Sequence, residues 1–127
     1  MTDSPPPIED LALRVLAMPR DTNPAGDIFG GWVVSVMDMA GGTLATHTSK
    51  SRVVLAAIDK ISFLRPVFVG DEVSCYARLI KIGTSSMQIA IEAWVRRTRG
   101  EEILKVTEGL FTFVAVDENR KPQPVQK

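Results

Sequence analysis

The sequence contains very little cysteine or histidine. Its 127 residues include one cysteine, Cys75, and one histidine, His47. A single cysteine cannot form an intramolecular disulfide, which is typical of a protein in the reducing cytoplasm. A metal site needs clustered His, Cys or carboxylate ligands, so one His and one Cys far apart in sequence argue against a metal centre. The sequence also contains no glycine-rich GxGxxG motif and no P-loop.

An excess of charge of one sign is also missing. Lys plus Arg and Asp plus Glu each number 15, and 45% of the residues are apolar. This balance provides no broad basic field for nucleic acid and no polybasic patch for a membrane surface. Residues 32–45 form the longest apolar stretch, but it is too short and too polar to span a bilayer. Zero net charge on an apolar-rich chain is consistent with surface hidden in an oligomer.

The length of the chain suits one domain. Residues 1–9 are expected to form a flexible leader, because three consecutive prolines cannot join a helix or a sheet interior. They lack the apolar run of a signal peptide. Residues 118–127 are expected to form a polar tail. Residues 10–117 contain no internal repeat and no linker, so we expect a single domain there.

Hydrophobic periodicity predicts one helix and five strands. Short turns between consecutive strands favour antiparallel pairing, so the fold class is α+β, with a five-stranded antiparallel sheet and one long helix. The helix is predicted from Gly30 to about Thr46. The strands are predicted at 11–17, 53–64, 73–79, 87–95 and 104–116.

The predicted helix is apolar around its whole circumference, which is typical of a buried helix. A single curved sheet covers one side, and a second copy of the protein would cover the rest. Gly41 and Gly42 weaken the helix but let another backbone or a ligand approach closely. Ser35, Asp38 and Gly42 recur at helical spacing and share one narrow stripe.

Asp38 is the first candidate for a catalytic residue. A carboxylate in a buried apolar helix is costly unless it is paired, and burial would raise its pKa and make it a better base. A structural Asp, held by backbone amides or facing solvent at an interface, explains the pattern equally well.

The segment before the helix supplies further candidates. Asn23 and Asp27 are explained most simply by turn chemistry, but an amide there could orient a water or a carbonyl. Gly30 and Gly31 open the helix, where free N–H groups and small residues could form an oxyanion hole. Tight helix–sheet packing explains the same two glycines.

The remaining reactive or charged residues have simpler explanations. His47, near the predicted helix C-terminus, is expected to be structural, and Cys75 is expected to pack in the core. Some basic residues of the strands and hairpins could bind phosphates, although most such residues are simply solvated. They are Arg65, Lys81, Arg96, Arg97 and Arg99.

A set of motifs covering roughly residues 10 to 122 resembles the single-domain bacterial acyl-CoA thioesterases of the YciA type. The first group comprises Met18-Pro19, Asp21, Asn23, Gly26, Asp27, Phe29-Gly30-Gly31-Trp32 and Met37-Asp38. The second group comprises Phe63-Leu64-Arg65-Pro66-Val67, Val69-Gly70-Asp71, Gly83-Thr84-Ser85-Ser86 and Glu92-Ala93-Trp94-Val95. The combination, in this order, is specific to the family.

The resemblance implies a hotdog fold, in which a five-stranded antiparallel sheet wraps around a long central helix. It also implies dimers through joined sheets, commonly assembled as trimers of dimers into a homohexamer. The active site would lie at the dimer interface, at the helix N-terminus.

The resemblance also implies roles for particular residues. Asp38 matches the catalytic carboxylate, and Asn23 matches the loop asparagine that completes the site. Gly30 and Gly31 match the glycines that supply backbone donors. Contacts to coenzyme A are implied for Arg65, Gly83, Thr84, Ser85 and Ser86.

The implied activity is hydrolysis of an acyl-CoA thioester to a free acid and coenzyme A in the cytoplasm. Asp38 would act as a general base on water or as a nucleophile forming a transient anhydride. No metal or redox cofactor is implied, since coenzyme A is part of the substrate. Hotdog hydratases and dehydratases are an alternative, but they commonly use an Asp-His pair, and His47 is misplaced for that. A non-catalytic acyl-CoA-binding protein is the other alternative.

Overall fold

The computed structural model describes residues 4–97 and 100–125. The predicted helix and five strands are all present, and the α+β class is confirmed. Arg99, a candidate for phosphate binding, lies outside the described residues, as do residues 1–3 of the leader and 126–127 of the tail. The elements, in chain order, are β1 (Leu11–Leu16), α1 (Gly30–Ser49), β2 (Arg52–Phe63), β3 (Glu72–Ile82), β4 (Ser86–Arg96) and β5 (Ile103–Val116).

The five strands form one sheet in the order β1-β3-β4-β5-β2. Every neighbouring pair is antiparallel, as the short turns predict. The β3–β4 and β4–β5 connections are hairpins, whereas α1 links the two edge strands, β1 and β2. Because β2 is an edge strand, one row of its backbone N–H and C=O groups has no partner strand within the described chain.

The core lies between α1 and the face of the sheet that curves around it. The helix contributes small and β-branched side chains such as Val33, Val36 and Ala40, and the central strands contribute larger ones such as Ile91 and Phe113. All five are at most 2% exposed. Burial of this apolar area is the main force that holds the helix against the sheet.

Gly41 explains how closely the helix approaches the sheet. A Cβ atom built on Gly41 would lie 2.5 Å from Cδ1 of Ile91 and 2.8 Å from Cε2 of Phe113. Real Cβ atoms do not approach neighbours that closely, so only glycine fits. The close approach inferred from the sequence is therefore made to the sheet, and the loss of helix propensity is offset by tighter packing.

The helix is longer than predicted. It continues to Ser49, and Lys50 caps it in the left-handed conformation with φ 56° and donates its N–H to the carbonyl of Thr46 at 2.8 Å. The sequence gives no signal for this helix end, because the residue at such a cap is usually glycine or asparagine. Lysine in the same conformation is strained.

One side of α1 is open in the single chain. Ser35, Met39 and Thr43 are exposed, and Asp38 and Gly42 are half-buried. Met39 leaves 54% of its surface accessible. The sheet therefore covers the opposite side only, and this half-open side, where the apolar Met39 lies among polar residues, is the surface that we expect a second copy to cover. The helix is not long and apolar enough to cross a membrane, and it is the only α-helix within residues 4–97 and 100–125.

The two ends of the described chain lie against the sheet. Residues 8–10 form a short 3₁₀ turn directly before β1. After β5 the chain folds back, and the N–H of Gln123 donates to the carbonyl of Ala115 at 2.9 Å. Val125 is 7% exposed, and its N–H donates to the carbonyl of Thr84 at 2.9 Å. This part of the tail is thereby held beside the β3–β4 hairpin.

Candidate active site

Asn23 organises the loop that leads into α1. Its Oδ1 accepts hydrogen bonds from the N–H of Ala25 at 2.9 Å and of Asp27 at 3.2 Å. Its own N–H donates to the carbonyl of Asp27 at 2.7 Å. The turn is closed by Gly26, whose φ of +96° suits glycine. The expected turn chemistry is thus present and fixes the carboxamide, and Nδ2 makes no hydrogen bond to any described residue.

The first backbone N–H groups of α1 are free. The N–H groups of Trp32 and Val33 both donate to the carbonyl of Phe29, at 3.1 and 3.4 Å. Those of Gly30 and Gly31 precede these bonds and have no acceptor within the described chain, as the geometry of a helix start requires. The positive end of the helix dipole coincides with them.

The two glycines differ in their surroundings. A Cβ atom built on Gly30 would lie 3.2 Å from Cε1 of Phe63, so tight packing accounts for this glycine. A Cβ atom built on Gly31 would meet nothing within 4 Å. Packing against the described residues therefore does not require glycine at position 31, and the space beside its N–H is open to a ligand or a second copy.

A cavity of about 300 Å³ lies at this helix end. Its lining includes Asn23, Asp27, Gly30, Arg65 and Thr107. The structure thus brings three of the predicted site residues together: Asn23, Gly30 and Arg65. Thr107 is 1% exposed and was not identified from the sequence, because it occupies an ordinary strand position.

Asp38 does not share this cavity. It lies eight residues along α1 from Gly30, which corresponds to about 12 Å. It is half-buried, and this burial raises the pKa of its carboxyl, as expected for the base. No described residue forms a hydrogen bond or an ion pair with its side chain. The single chain therefore leaves Asp38 and Asn23 apart.

The expected coenzyme A contacts lie at opposite ends of the sheet. Arg65 donates from Nη1 to the carbonyl of Lys105 at 2.6 Å, beside Val106 of β5. The turn from Gly83 to Ser86 adjoins Val114 of the same strand. Eight residues of antiparallel strand separate these two points, a span of roughly 27 Å. One chain therefore does not bring Arg65 to the Gly83–Ser86 turn.

Arg97, another expected phosphate ligand, is committed to the fold. Its guanidinium forms an ion pair with Asp71, which is 2% exposed, and also donates to the carbonyl of Pro66 at 3.1 Å. It lies 4.6 Å from the ring centre of Phe68. Asp71 also accepts the N–H of Phe68 at 2.8 Å. The Gly-Asp dipeptide indicates only a turn, so this buried ion pair was not identified from the sequence.

The other candidates have ordinary surroundings. Arg96 lies 3.7 Å from Glu72, and Lys81 is exposed. His47 is exposed on the helix. Burial raises the pKa of the Cys75 thiol to about 12, so it packs as an apolar group and is no nucleophile at neutral pH. The described parts of the chain contain no group of three His, Cys, Asp or Glu residues placed to hold a metal ion.

Comparison with known sequences places this chain in one protein family. The Thioesterase superfamily pattern matches residues 25–101. The acyl-CoA thioester hydrolase YciA of Escherichia coli K12 is 52% identical over 120 residues, which cover 92% of this chain and 91% of that protein. The YciA protein of Salmonella typhimurium is also 52% identical, over 122 residues, 94% of this chain and 92% of that protein.

Comparison with solved structures agrees. The hexameric thioesterase y2039 from Yersinia pestis superposes with a TM-score of 0.90 and 48% identity, covering 93% of this chain and 97% of that one. A hexameric hotdog fold thioesterase of Campylobacter jejuni superposes with a TM-score of 0.87 and 40% identity, and the match covers 92% of this chain and 90% of that one. The expected hotdog fold is confirmed. For an acyl-CoA hydrolase of Staphylococcus aureus, 27% identical, alanine variants of one asparagine and one aspartate have been solved. These two positions are as far apart in sequence as Asn23 and Asp38.

Proposed function

Because this chain belongs to the Thioesterase superfamily, we propose that it hydrolyses the thioester of acyl-CoA to a free carboxylic acid and coenzyme A. The observation that carries this proposal is the helix N-terminus. There the fixed carboxamide of Asn23 and the cavity at Gly30 adjoin the free N–H groups of Gly30 and Gly31. Donors fixed in this way stabilise the negative charge that develops on a thioester oxygen during attack.

The site is completed by a second copy of the chain. Edge strand β2 can pair with β2 of another copy, and the open side of α1 then faces its counterpart. In an antiparallel arrangement of the two helices, the partner subunit's Asp38 comes beside Asn23 and Gly31. Such dimers assemble as a trimer of dimers, since the matched thioesterases from Yersinia pestis and Campylobacter jejuni are hexameric. The substrate and the buried free thiol of Cys75 suit the reducing cytoplasm.

The proposed mechanism uses two hydrogen-bond donors and one carboxylate. The thioester oxygen accepts from the N–H of Gly31 and from Nδ2 of Asn23. Asp38 either takes a proton from a water as that water attacks the carbonyl carbon, or attacks this carbon itself to form an anhydride that water then opens. In both routes the C–S bond breaks, the thiolate of coenzyme A takes up a proton, and water supplies the oxygen of the acid. No resident cofactor takes part.

The test is thiol release from short, medium and long acyl-CoAs. Asp38→Asn keeps the size of the side chain but removes the base, and we expect turnover to fall about 10²–10⁴-fold. Asn23→Ala tests the second donor, Nδ2 of Asn23. Alanine is preferred to aspartate at this position because aspartate would add a charge. Circular dichroism and scattering-based mass establish that each variant keeps the fold and the assembly of the wild type.

The pH dependence provides a second readout. Asp38 has a raised pKa in the folded protein, and only its deprotonated form serves as base or nucleophile. Turnover should therefore fall as pH drops through a pKa above the ordinary range for aspartate. Full turnover by a folded, assembled Asp38→Asn protein would exclude this role. Binding of acyl-CoA without thiol release by the wild type would favour a non-catalytic acyl-CoA-binding protein.

A further inference from the structure

A second cavity lies at the other end of α1 and is basic. It measures about 630 Å³, and Lys50, Arg52 and Arg120 contribute to its lining together with Ser51. Lys50 caps the helix, Arg52 begins β2, and Arg120 lies in the turn after β5. Three separate segments thus bring three cations to one concave surface.

No acidic side chain neutralises these cations within the described residues. None of the three lies within 4.0 Å of a carboxylate oxygen in residues 4–97 and 100–125. Glu118 and Asp117 are the two carboxylates nearest in sequence to Arg120. Glu118 forms no ion pair with a described residue, and Oδ1 of Asp117 already accepts the N–H of Asn119 at 2.8 Å and of Lys121 at 3.0 Å. The helix dipole favours Lys50 at its place, but it does not explain the other two cations, which are not on the helix.

Backbone strain supports a role for two of these side chains. Lys50 has φ 56° and Arg120 has φ 64°. Glycine or asparagine adopts this left-handed conformation more readily, and other residues do so at a cost of roughly 1–2 kcal/mol. Neither side chain forms a hydrogen bond or an ion pair within the described residues, so neither one closes its turn. Lys60, outside this pocket, has a similar φ of 54°, so the strain supports a function of Lys50 and Arg120 only together with their shared place in the pocket.

A groove extends from this pocket along α1 as far as Met39, the residue that follows Asp38. A neighbouring cavity of about 580 Å³ runs along the open side of the helix and is lined by Met39, Gly42 and His47. It shares Thr46 and Val53 with the basic pocket. From Asp38 to Lys50 the helix spans twelve residues, or about 18 Å. The pantetheine arm has thirteen bonds from sulfur to the first phosphorus, or about 16 Å at the rise per bond of an extended chain.

We propose that Lys50, Arg52 and Arg120 bind the phosphate groups of coenzyme A while the thioester lies at Asp38. This inference rests on the proposed function. Arginine guanidinium groups suit phosphate oxygens because they donate two parallel hydrogen bonds. In a dimer joined through antiparallel β2 strands, Arg52 at the start of one strand lies beside the end of the partner strand. Arg65 of the partner subunit follows that strand end by two residues. The expected contact of Arg65 with coenzyme A is then made across the interface.

Substrates with and without phosphates test the inference. Arg52→Gln and Arg120→Gln are compared with wild type on butyryl-CoA and on S-butyryl-pantetheine, which carries the same thioester without phosphates or nucleotide. Loss of one charge-assisted hydrogen-bonding group is expected to raise KM for butyryl-CoA about 10-fold or more with kcat unchanged. KM for the pantetheine thioester is expected to stay at the wild-type value.

Arg78→Gln is the matched control, because Arg78 is an exposed strand arginine outside this pocket and the groove. It should leave both KM values unchanged. Equal KM values for butyryl-CoA in wild type and both pocket variants would overturn the inference and leave the hydrolase intact. An equal rise for both substrates would also overturn it, since the effect would then not depend on phosphate.

A titration of coenzyme A itself separates this inference from the proposed function. If the wild type hydrolyses neither substrate, the proposed function fails, and the pocket is judged by calorimetry alone. Affinity for coenzyme A should then fall about 10-fold in Arg120→Gln and remain unchanged in Arg78→Gln. Undiminished affinity in Arg52→Gln and Arg120→Gln would refute the phosphate site in either case.

Discussion

Replacing Gly31 by alanine should raise stability and lower activity at the same time. A Cβ atom at this position meets no described residue within 4 Å, and its backbone is already helical. Alanine restricts the unfolded chain more than glycine does, so the folded protein should gain about 0.4–1 kcal/mol. The new methyl group, however, would occupy the space beside the N–H that we propose binds the thioester oxygen. Displacing a substrate by about 1 Å typically costs 10²-fold, and a loss of that size in kcat/KM is expected.

Urea unfolding measures the first effect and thiol release from acyl-CoA measures the second. Thr48→Ala is the control, because Thr48 also lies on α1 and its hydroxyl only bonds the carbonyl of Leu44. It should change stability by a few tenths of a kcal/mol, about the difference in helix propensity, with activity retained. Scattering-based mass must show the same assembly for all three proteins. Wild-type turnover by an assembled Gly31→Ala protein would refute the placement of substrate at this amide.

Three further predictions concern the parts of the fold that support the site. Gly41→Ala should destabilise the protein by about 1–3 kcal/mol in urea unfolding, since its methyl group overlaps Phe113; an unchanged midpoint would contradict that packing. Asp71→Asn removes the counter-charge of Arg97 and should cost about 3 kcal/mol by the same assay, and a loss within error would show the pair to be dispensable. Cys75 should resist iodoacetamide at pH 7.5 in the folded state and react after denaturation, because its pKa is raised to about 12; rapid labelling of the native protein would disprove its burial.

The element order was predictable because each element carries a strong local signal. Alternating residues such as those around Ile89 and Ile91 identify strands, and an all-round apolar run identifies the helix. The C-terminal end of the helix was not predictable, because Lys50 adopts a backbone conformation that lysine disfavours. The choice of neighbours in the sheet was also hidden, since it depends on contacts between β2 and β5 that are far apart in sequence.

The site was only partly predictable for a related reason. Asn23 and Gly30 are close in sequence, so a local motif suffices to place them together. The ion pair of Asp71 and Arg97 joins a turn to a distant hairpin, and nothing local distinguishes these two residues from solvated charges. The same holds for the basic pocket, where Arg120 meets residues of the helix end only after the chain folds back.

The partial burial of Asp38 connects the assembly of the protein with its chemistry. In the single chain this carboxyl lies on the open side of α1, and its pKa is already raised by the burial it has there. Covering that side with a second copy would remove more water, which favours the neutral acid, whereas N–H donors placed beside the carboxylate favour its charged form. In the proposed dimer the same contact would supply those donors, from Asn23 and Gly31 of the other chain. In this proposal a folded single chain contains Asp38 without the donors of a partner, so the rate per chain should fall when the protein is diluted below the concentration at which dimers persist.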